Sequence, residues 1–184
     1  MPVIAQIIQE NRLTFRFSEL ALSTQYDGWI HYRRRFNSAS GGTTAVDLLH
    51  SQSNTGWLIE IKDYRDHPRT KAIDLADEVA CKVRDTLAGL ISARLHAQDV
   101  EERRIAQEML KRDTLRVVLH LEQPHRQKRL RPKAIDPAAL SQKLKALLKS
   151  IDPHPCVVDR HSLKPDMDWS VQDAPQPKAA SARS

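Results

Sequence analysis

Asp47 sits inside the apolar run Thr44–Leu49 (TAVDLL), and Glu60 and Lys62 stand two apart inside Trp57–Tyr64 (WLIEIKDY). Two carboxylates and an ammonium, once gathered, suit work on a phosphate group. Two hard oxygen ligands, helped by a backbone carbonyl, are what Mg²⁺ accepts while it keeps several waters. A metal held so polarises a phosphoryl group and lowers the pKa of a bound water. A lysine beside it orients or deprotonates that water and offsets developing charge. Asp47 is flanked by Ala45, Val46, Leu48 and Leu49, a setting that disfavours an unpaired charge, and buried clustered charges mark function more often than structure. The opposing reading makes Glu60 and Lys62 the solvated face of an edge strand and Asp47 a strand-end cap.

The elements around these residues decide whether they meet. HSQSNTG, between the two apolar runs, is a turn-forming cluster, so the runs read as an antiparallel hairpin. A turn centred near Ser53 places Asp47 opposite Ile59–Glu60, where facing residues lie about 4.5–5.5 Å apart at Cβ. Along the second strand Trp57, Ile59 and Ile61 point one way and Leu58, Glu60 and Lys62 the other. Upstream, Arg12–Phe17 (RLTFRF) alternates as a first strand or extended lead-in, and Tyr26–Phe36 (YDGWIHYRRRF) carries Trp29, Tyr32, Arg33 and Phe36 at helical spacing. Ser38–Gly42 (SASGG) is a loop. From Lys71 to Arg112 the period is helical, with Leu75, Val79, Val83, Leu87, Leu90, Ile91 and Leu95 as the stripe. That span exceeds an ordinary helix, so a break near Leu95–Val100 and a second helix over Glu101–Lys111 are expected. Leu115–Leu121 (LRVVLHL) is a buried strand. Ala138–Ser150 is an amphipathic helix with Leu140, Leu144, Leu147 and Leu148 inward, and Cys156–Asp159 a final edge strand. The fold class is α/β or α+β, helices covering a mixed sheet. The expected organisation is a single domain over 1–171 and a disordered Pro-, Ala- and Ser-rich tail over 172–184.

On these residues the sequence resembles the PD-(D/E)XK nuclease superfamily. Asp47 matches that family's isolated aspartate on the second core strand, and Glu60-Ile61-Lys62 its E-x-K on the third. The family's helix, three strands, helix and strand match the reading from Tyr26 to Leu121, a little over half the chain. The resemblance implies a restriction-endonuclease-like three-layer core, here with an extra C-terminal helix and strand. It implies that Asp47, Glu60 and the carbonyl of Ile61 hold Mg²⁺, with Mn²⁺ as a possible substitute, and that Lys62 acts on the nucleophilic water. Val46 stands where the family's proline would be. A further acid on the first helix is often used in the family, and Asp27 is the candidate here, with Glu19 behind it. Glu78 and Lys82, at the edge of the long helix's stripe, are auxiliary candidates.

Net charge is +6 and the pI about 9.5, which favours polyanionic partners through counterion release. Three basic stretches are candidate nucleic-acid contacts. Arg33, Arg34 and Arg35 read equally as phosphate contacts or a solvated helix face. Arg65, His67, Arg69 and Lys71 follow directly after E-x-K and read as clamps at the mouth of the site, or as a polar loop partnered by Asp63 and Asp66. Arg126, Lys128, Arg129 and Arg131 stand in a loop free of acids, where like charges repel unless an anion relieves them.

The rest of the sequence excludes more than it adds. There is no G-x-S-x-G, P-loop or G-x-G-x-x-G. Cys81 and Cys156 lack metal-ligand spacing with the eight histidines, so they read as reduced structural or surface thiols. Trp57 and Trp169 read as packing residues. No apolar run approaches the ~18–20 residues of a membrane span, and MPVIAQIIQENR has neither the basic start nor the apolar core of a secretory signal, so a cytoplasmic setting is expected. Two functions compete. One is a metal-dependent nuclease, endo- or exonuclease, hydrolysing phosphodiester bonds, DNA first, in defence or repair. The other is a catalytically silent nucleic-acid-binding or scaffold subunit of a larger complex. So small a chain is expected to rely on a homodimer or a larger protein partner for targeting.

Overall fold

The computed structural model describes residues 6–18, 21–124 and 135–175. The loop arginines and lysine Arg126, Lys128, Arg129 and Arg131, together with Glu19, lie outside these residues.

The chain folds into two sheets and a helical layer. β1 (Ile7–Glu10) and β2 (Leu13–Phe17) form a hairpin that is joined by β8 (Trp169–Asp173), giving a three-stranded antiparallel sheet in the order β1-β2-β8. The central sheet runs β3 (Leu22–Gln25), β4 (Leu48–Gln52), β5 (Thr55–Asp63), β6 (Thr114–Glu122), β7 (Cys156–Val158). It is mixed: β3, β4 and β5 are antiparallel neighbours, whereas β6 lies parallel to β5 and β7 parallel to β6. Helices α1 (Leu75–His96), α2 (Val100–Leu110) and α3 (Pro137–Leu148) pack on one face. The small sheet packs on the other. This is a three-layer α+β arrangement.

The alternation in β5 explains the layering. Trp57, Ile59 and Ile61 enter the core between the sheets, with Phe15, Phe17 and Trp169, while Leu58 enters the core under the helices. Paired on both edges and covered on both faces, β5 is apolar over Trp57–Ile61 except for Glu60. Trp57 and Trp169 meet edge to face with centroids 5.2 Å apart.

Each helix start is fixed by an aspartate: the side chains of Asp74, Asp99 and Asp136 accept from the backbone N–H groups of Ala76, of Glu101 and Glu102, and of Ala138. The stretch Tyr26–Phe36 is less regular than its spacing suggests. It makes a 3₁₀ turn at Tyr26–Gly28 and a π-helical turn at Tyr32–Phe36. Its entry is capped from a distance, since the Glu102 carboxylate accepts from the N–H groups of Ile30 at 2.6 Å and His31 at 3.1 Å.

Several expectations are corrected. In α1 the buried stripe is Leu75, Ala76, Val79, Val83, Thr86, Leu90 and Ala93, while Ile91 and Leu95 are 54% and 62% exposed. At 100° per residue, a helix that buries Leu90 turns Ile91 away. Leu147 likewise faces outward beside the buried Leu144 and Leu148. Gln172 and Asp173, expected in an unstructured tail, belong to β8, because Trp169 and Val171 bury against the central sheet. The expected three-layer arrangement with helices on a mixed central sheet is present, and among the described residues the helices pack on one face of that sheet. The second face is covered by β1, β2 and β8; β2 is the strand expected at Arg12–Phe17, while β1 and β8 are too short and polar to announce its partners.

Candidate functional site

The hairpin register carries the site. Leu48 pairs with Ile59, so Asp47, one residue before β4, stands beside Glu60. Its Oδ2 accepts from the Ile61 N–H at 2.6 Å, which locks the carboxylate onto β5. Glu60 is fully buried, not on a solvated edge, and β5 is a central strand. α1 crosses over this point and supplies Glu78 and Lys82 one turn apart.

The resulting cluster alternates in charge. Lys62 Nζ lies 2.8 Å from Glu60 Oε1 and 3.2 Å from Glu78 Oε1. Lys82 Nζ lies 2.6 Å from the same Glu60 oxygen and 3.9 Å from Asp47 Oδ1. Both ammoniums lie against Oε1 as ion-pair contacts, and among the described residues neither Glu60 oxygen has a hydrogen-bond partner. Glu78 gathers three cations, with Arg69 Nη1 on Oε2 at 2.7 Å, and Lys71 on Oε1 at 2.7 Å beside Lys62.

The electrostatics follow from this geometry. Burial pushes the Asp47 carboxyl up to about 7, the neighbouring Glu60 adds to the rise, and Lys82, the Ile61 N–H and Lys62 oppose it. Burial alone would raise Glu78 too, yet Lys71, Arg69 and Lys62 hold it down at about 2. Burial disfavours the Lys62 ammonium, but Glu60 and Glu78 outweigh that and raise its pKa. The site is therefore a compact set of paired charges with one carboxylate, Asp47, poised near neutrality.

Other candidate residues fall at varying distances from this centre. Asp27 lies within electrostatic reach through Glu10, and its Oδ1 is buried with no hydrogen-bond partner among the described residues. Arg33 donates through Nε to the Asp27 carbonyl at 2.9 Å, and Arg33, Arg34 and Arg35 are all exposed. Arg69 and Lys71 join the cluster through Glu78. His67 is exposed on the loop between β5 and α1. Arg65 turns to the other side of the molecule, where it grips Asp63 and Asp173.

One contributor had no signal in the sequence. Glu10, at the end of β1, is raised in pKa by burial and then by Asp27 and Glu60, with Lys82 opposing. The β1–β2 hairpin brings it across the sheet edge, where Gln25 Nε2 donates to its Oε2 at 2.7 Å.

Among the described residues, no three His, Cys, Asp or Glu side chains converge on a point a metal could fill. Mg²⁺ needs fewer, since it is commonly held by one or two carboxylates with waters and phosphate oxygens completing its shell. The orphaned Glu60 Oε2 beside Asp47 fits that requirement.

No family model and no solved structure matches the chain. Among curated proteins, it is 35% identical to a cysteine–tRNA ligase of Neisseria meningitidis serogroup A, over 72% of this chain and 23% of that enzyme. The chain thus spans about a quarter of the length of the curated relative it matches. This finding overturns the resemblance to the PD-(D/E)XK nucleases. With it fall the expectation of a Mg²⁺-dependent nuclease or endonuclease hydrolysing phosphodiester bonds, the settings of defence and repair, and the alternative of a silent nucleic-acid-binding or scaffold subunit of that fold. The physical reason is that the motif records a hairpin geometry. Any aspartate one step before β4 meets Glu60 on β5, and here Lys62 and Lys82 neutralise that glutamate from within the chain.

Proposed function

We propose that this chain works in tRNA charging, engaging tRNA through its phosphate backbone at the Asp47–Glu60–Lys62 centre. The observation that carries the reading is the 35% identity to a cysteine–tRNA ligase across 72% of the chain. The matched region is about a quarter of that enzyme's length, so the role proposed is one part of the charging process and not the whole of it. The setting is the cytoplasm, and no helix among the described residues is long and apolar enough to cross a membrane. Nucleic acid is the partner that the net charge of +6 favours, and tRNA rather than DNA is the form the relative's name favours.

In this reading the chain's own groups meet the polyanion in order. Arg33, Arg34 and Arg35, exposed on the π-helical turn, attract and orient the backbone. Arg69 and Lys71 extend the positive edge beyond Glu78. Lys62, anchored by Glu60 and Glu78, presents an ammonium that donates to a phosphate oxygen. Asp47, Glu60 and the Ile61 carbonyl would hold Mg²⁺, or Mn²⁺ in its place. Such an ion supplies a fixed double positive charge that accepts a further phosphate oxygen and offsets the repulsion between carboxylates and polyanion.

The test is kinetic. Cysteine charging by a cysteine–tRNA ligase is measured at limiting tRNA, with this chain added at increasing concentration. The expected result is a change in the apparent KM for tRNA that Lys62→Met abolishes. Charging kinetics indifferent to the chain over the whole range would contradict the proposal.

A further inference from the structure

The charged centre contains its own counter-ion. Lys82 Nζ stands between the two carboxylates proposed to hold the metal, 2.6 Å from Glu60 Oε1 and 3.9 Å from Asp47 Oδ1. An ammonium at that point and a divalent cation on the same two carboxylates repel strongly in a partly buried setting. One of them must leave.

The two lysines are not equivalent in their freedom to do so. Lys62 rises from the central strand and is held at both ends of its reach, by Glu60 at 2.8 Å and Glu78 at 3.2 Å. Lys82 comes from α1 and has one close partner, Glu60. Both side chains are 16% exposed, so the difference lies in how each is held, and a four-carbon stem lets the Lys82 ammonium swing while the helix stays fixed. Among the described residues the fully buried Glu60 carboxylate has no hydrogen-bond partner on either oxygen, and both lysine contacts are to Oε1, so the site retains unused capacity for a cation.

We infer that Lys82 is a tethered cation that holds the Asp47–Glu60 position when no metal is bound, is displaced by a divalent ion, and then presents its ammonium to a phosphate of the nucleic acid. The inference rests on the proposed metal and phosphate reading of this centre and adds its regulation. A divalent ion adds two positive charges to a centre where Lys62 and Lys82 already balance Asp47 and Glu60, and phosphates of the nucleic acid offset that excess, so metal and phosphate favour each other's binding. Metal affinity alone is therefore weak, and metal affinity with a polyanion present is higher.

The experiment is a Mn²⁺ titration followed by the EPR signal of the free ion, on wild type, Lys82→Met, Lys82→Gln, Asp47→Asn and Lys143→Met. Lys143, on α3, pairs with Asp74 and Asp77 at the start of α1 and serves as the control. Loss of the Lys82 ammonium is expected to tighten Mn²⁺ binding by at least about tenfold and to weaken tRNA binding in Mn²⁺ several-fold. Lys143→Met should match wild type, and Asp47→Asn should lose Mn²⁺ binding. Should Lys82→Met lose its fold without metal, Lys82→Gln carries the same comparison. Mn²⁺ binding equal to or weaker than wild type in both Lys82 variants, with Asp47→Asn still defective, would overturn the inference and leave the metal centre standing. No Mn²⁺ binding by any variant removes the metal centre, and the inference with it.

Discussion

At the scale of single residues, the site is governed by charge balance inside a partly desolvated cluster. Removing Lys62 leaves Glu60 buried beside a single remaining ammonium and deprives Glu78 of one of its cations. Breaking a buried pair from one side costs about 3–5 kcal/mol, whereas apolar replacement of both partners is often neutral. Lys62→Met should therefore lower unfolding free energy by up to about that amount in urea titrations, and the triple variant Lys62→Met, Lys82→Met and Glu60→Leu, which removes both lysines along with the carboxylate they share, should recover most of it. Glu78 adds a pH signature. Its folded pKa of about 2 lies below the ordinary carboxylate value of 4.5, so its stabilisation is complete above the ordinary value and disappears as pH falls towards 2. Glu78→Gln should be less stable than wild type at pH 7, and the gap should close on acidification. A constant gap across the acid limb would refute this account of Glu78. The chemistry-bearing residues were readable at this scale because a two-residue period on β5 and a turn near Ser53 determine which side chains meet. Arg65 was not, since its direction depends on Asp63 and on Asp173 from a distant strand. Glu10 was not either, because nothing local says that a hairpin tip will fold over the sheet edge.

At the scale of elements, the site depends on how α1 and the irregular stretch Tyr26–Phe36 are held over β5. Their closest approach is at Gly89, where an added Cβ would fall on the Tyr26 hydroxyl and lie 3.1 Å from the Phe36 ring. Neither ring can retreat easily, because Tyr26 packs on Trp29 with centroids 4.9 Å apart. Gly89→Ala should cost about 1–3 kcal/mol, as overpacking does, read as a lowered urea midpoint. Unchanged stability would show that the stretch yields. Glu102 holds the same stretch from α2, and Glu102→Ala, which strips the acceptor from two backbone donors, should cost about 1–3 kcal/mol. The two long helices, their break and the hairpin of β4 and β5 were legible from periodicity. The second sheet was not. β1 and β8 are four and five residues long, and their burial is decided by the tertiary surface they land on rather than by their own pattern.

At the scale of the whole molecule, three layers place one charged centre under α1 and a basic π-helical turn beside it, on a chain of net charge +6. A motif read in isolation suggested one chemistry, and similarity across most of the chain redirected it, because the same hairpin and lysines can serve any phosphate-bearing partner. The account places that partner among tRNAs. The most direct measurement is competition binding: fluorescently labelled cysteine tRNA on the intact chain in Mg²⁺ at fixed salt, displaced by unlabelled tRNA or by duplex DNA with the same number of phosphates. The account predicts that tRNA displaces the label at least about tenfold more effectively than DNA, with a salt slope that shows phosphate contacts. Equal displacement by the two, or no binding of tRNA at all, would contradict it.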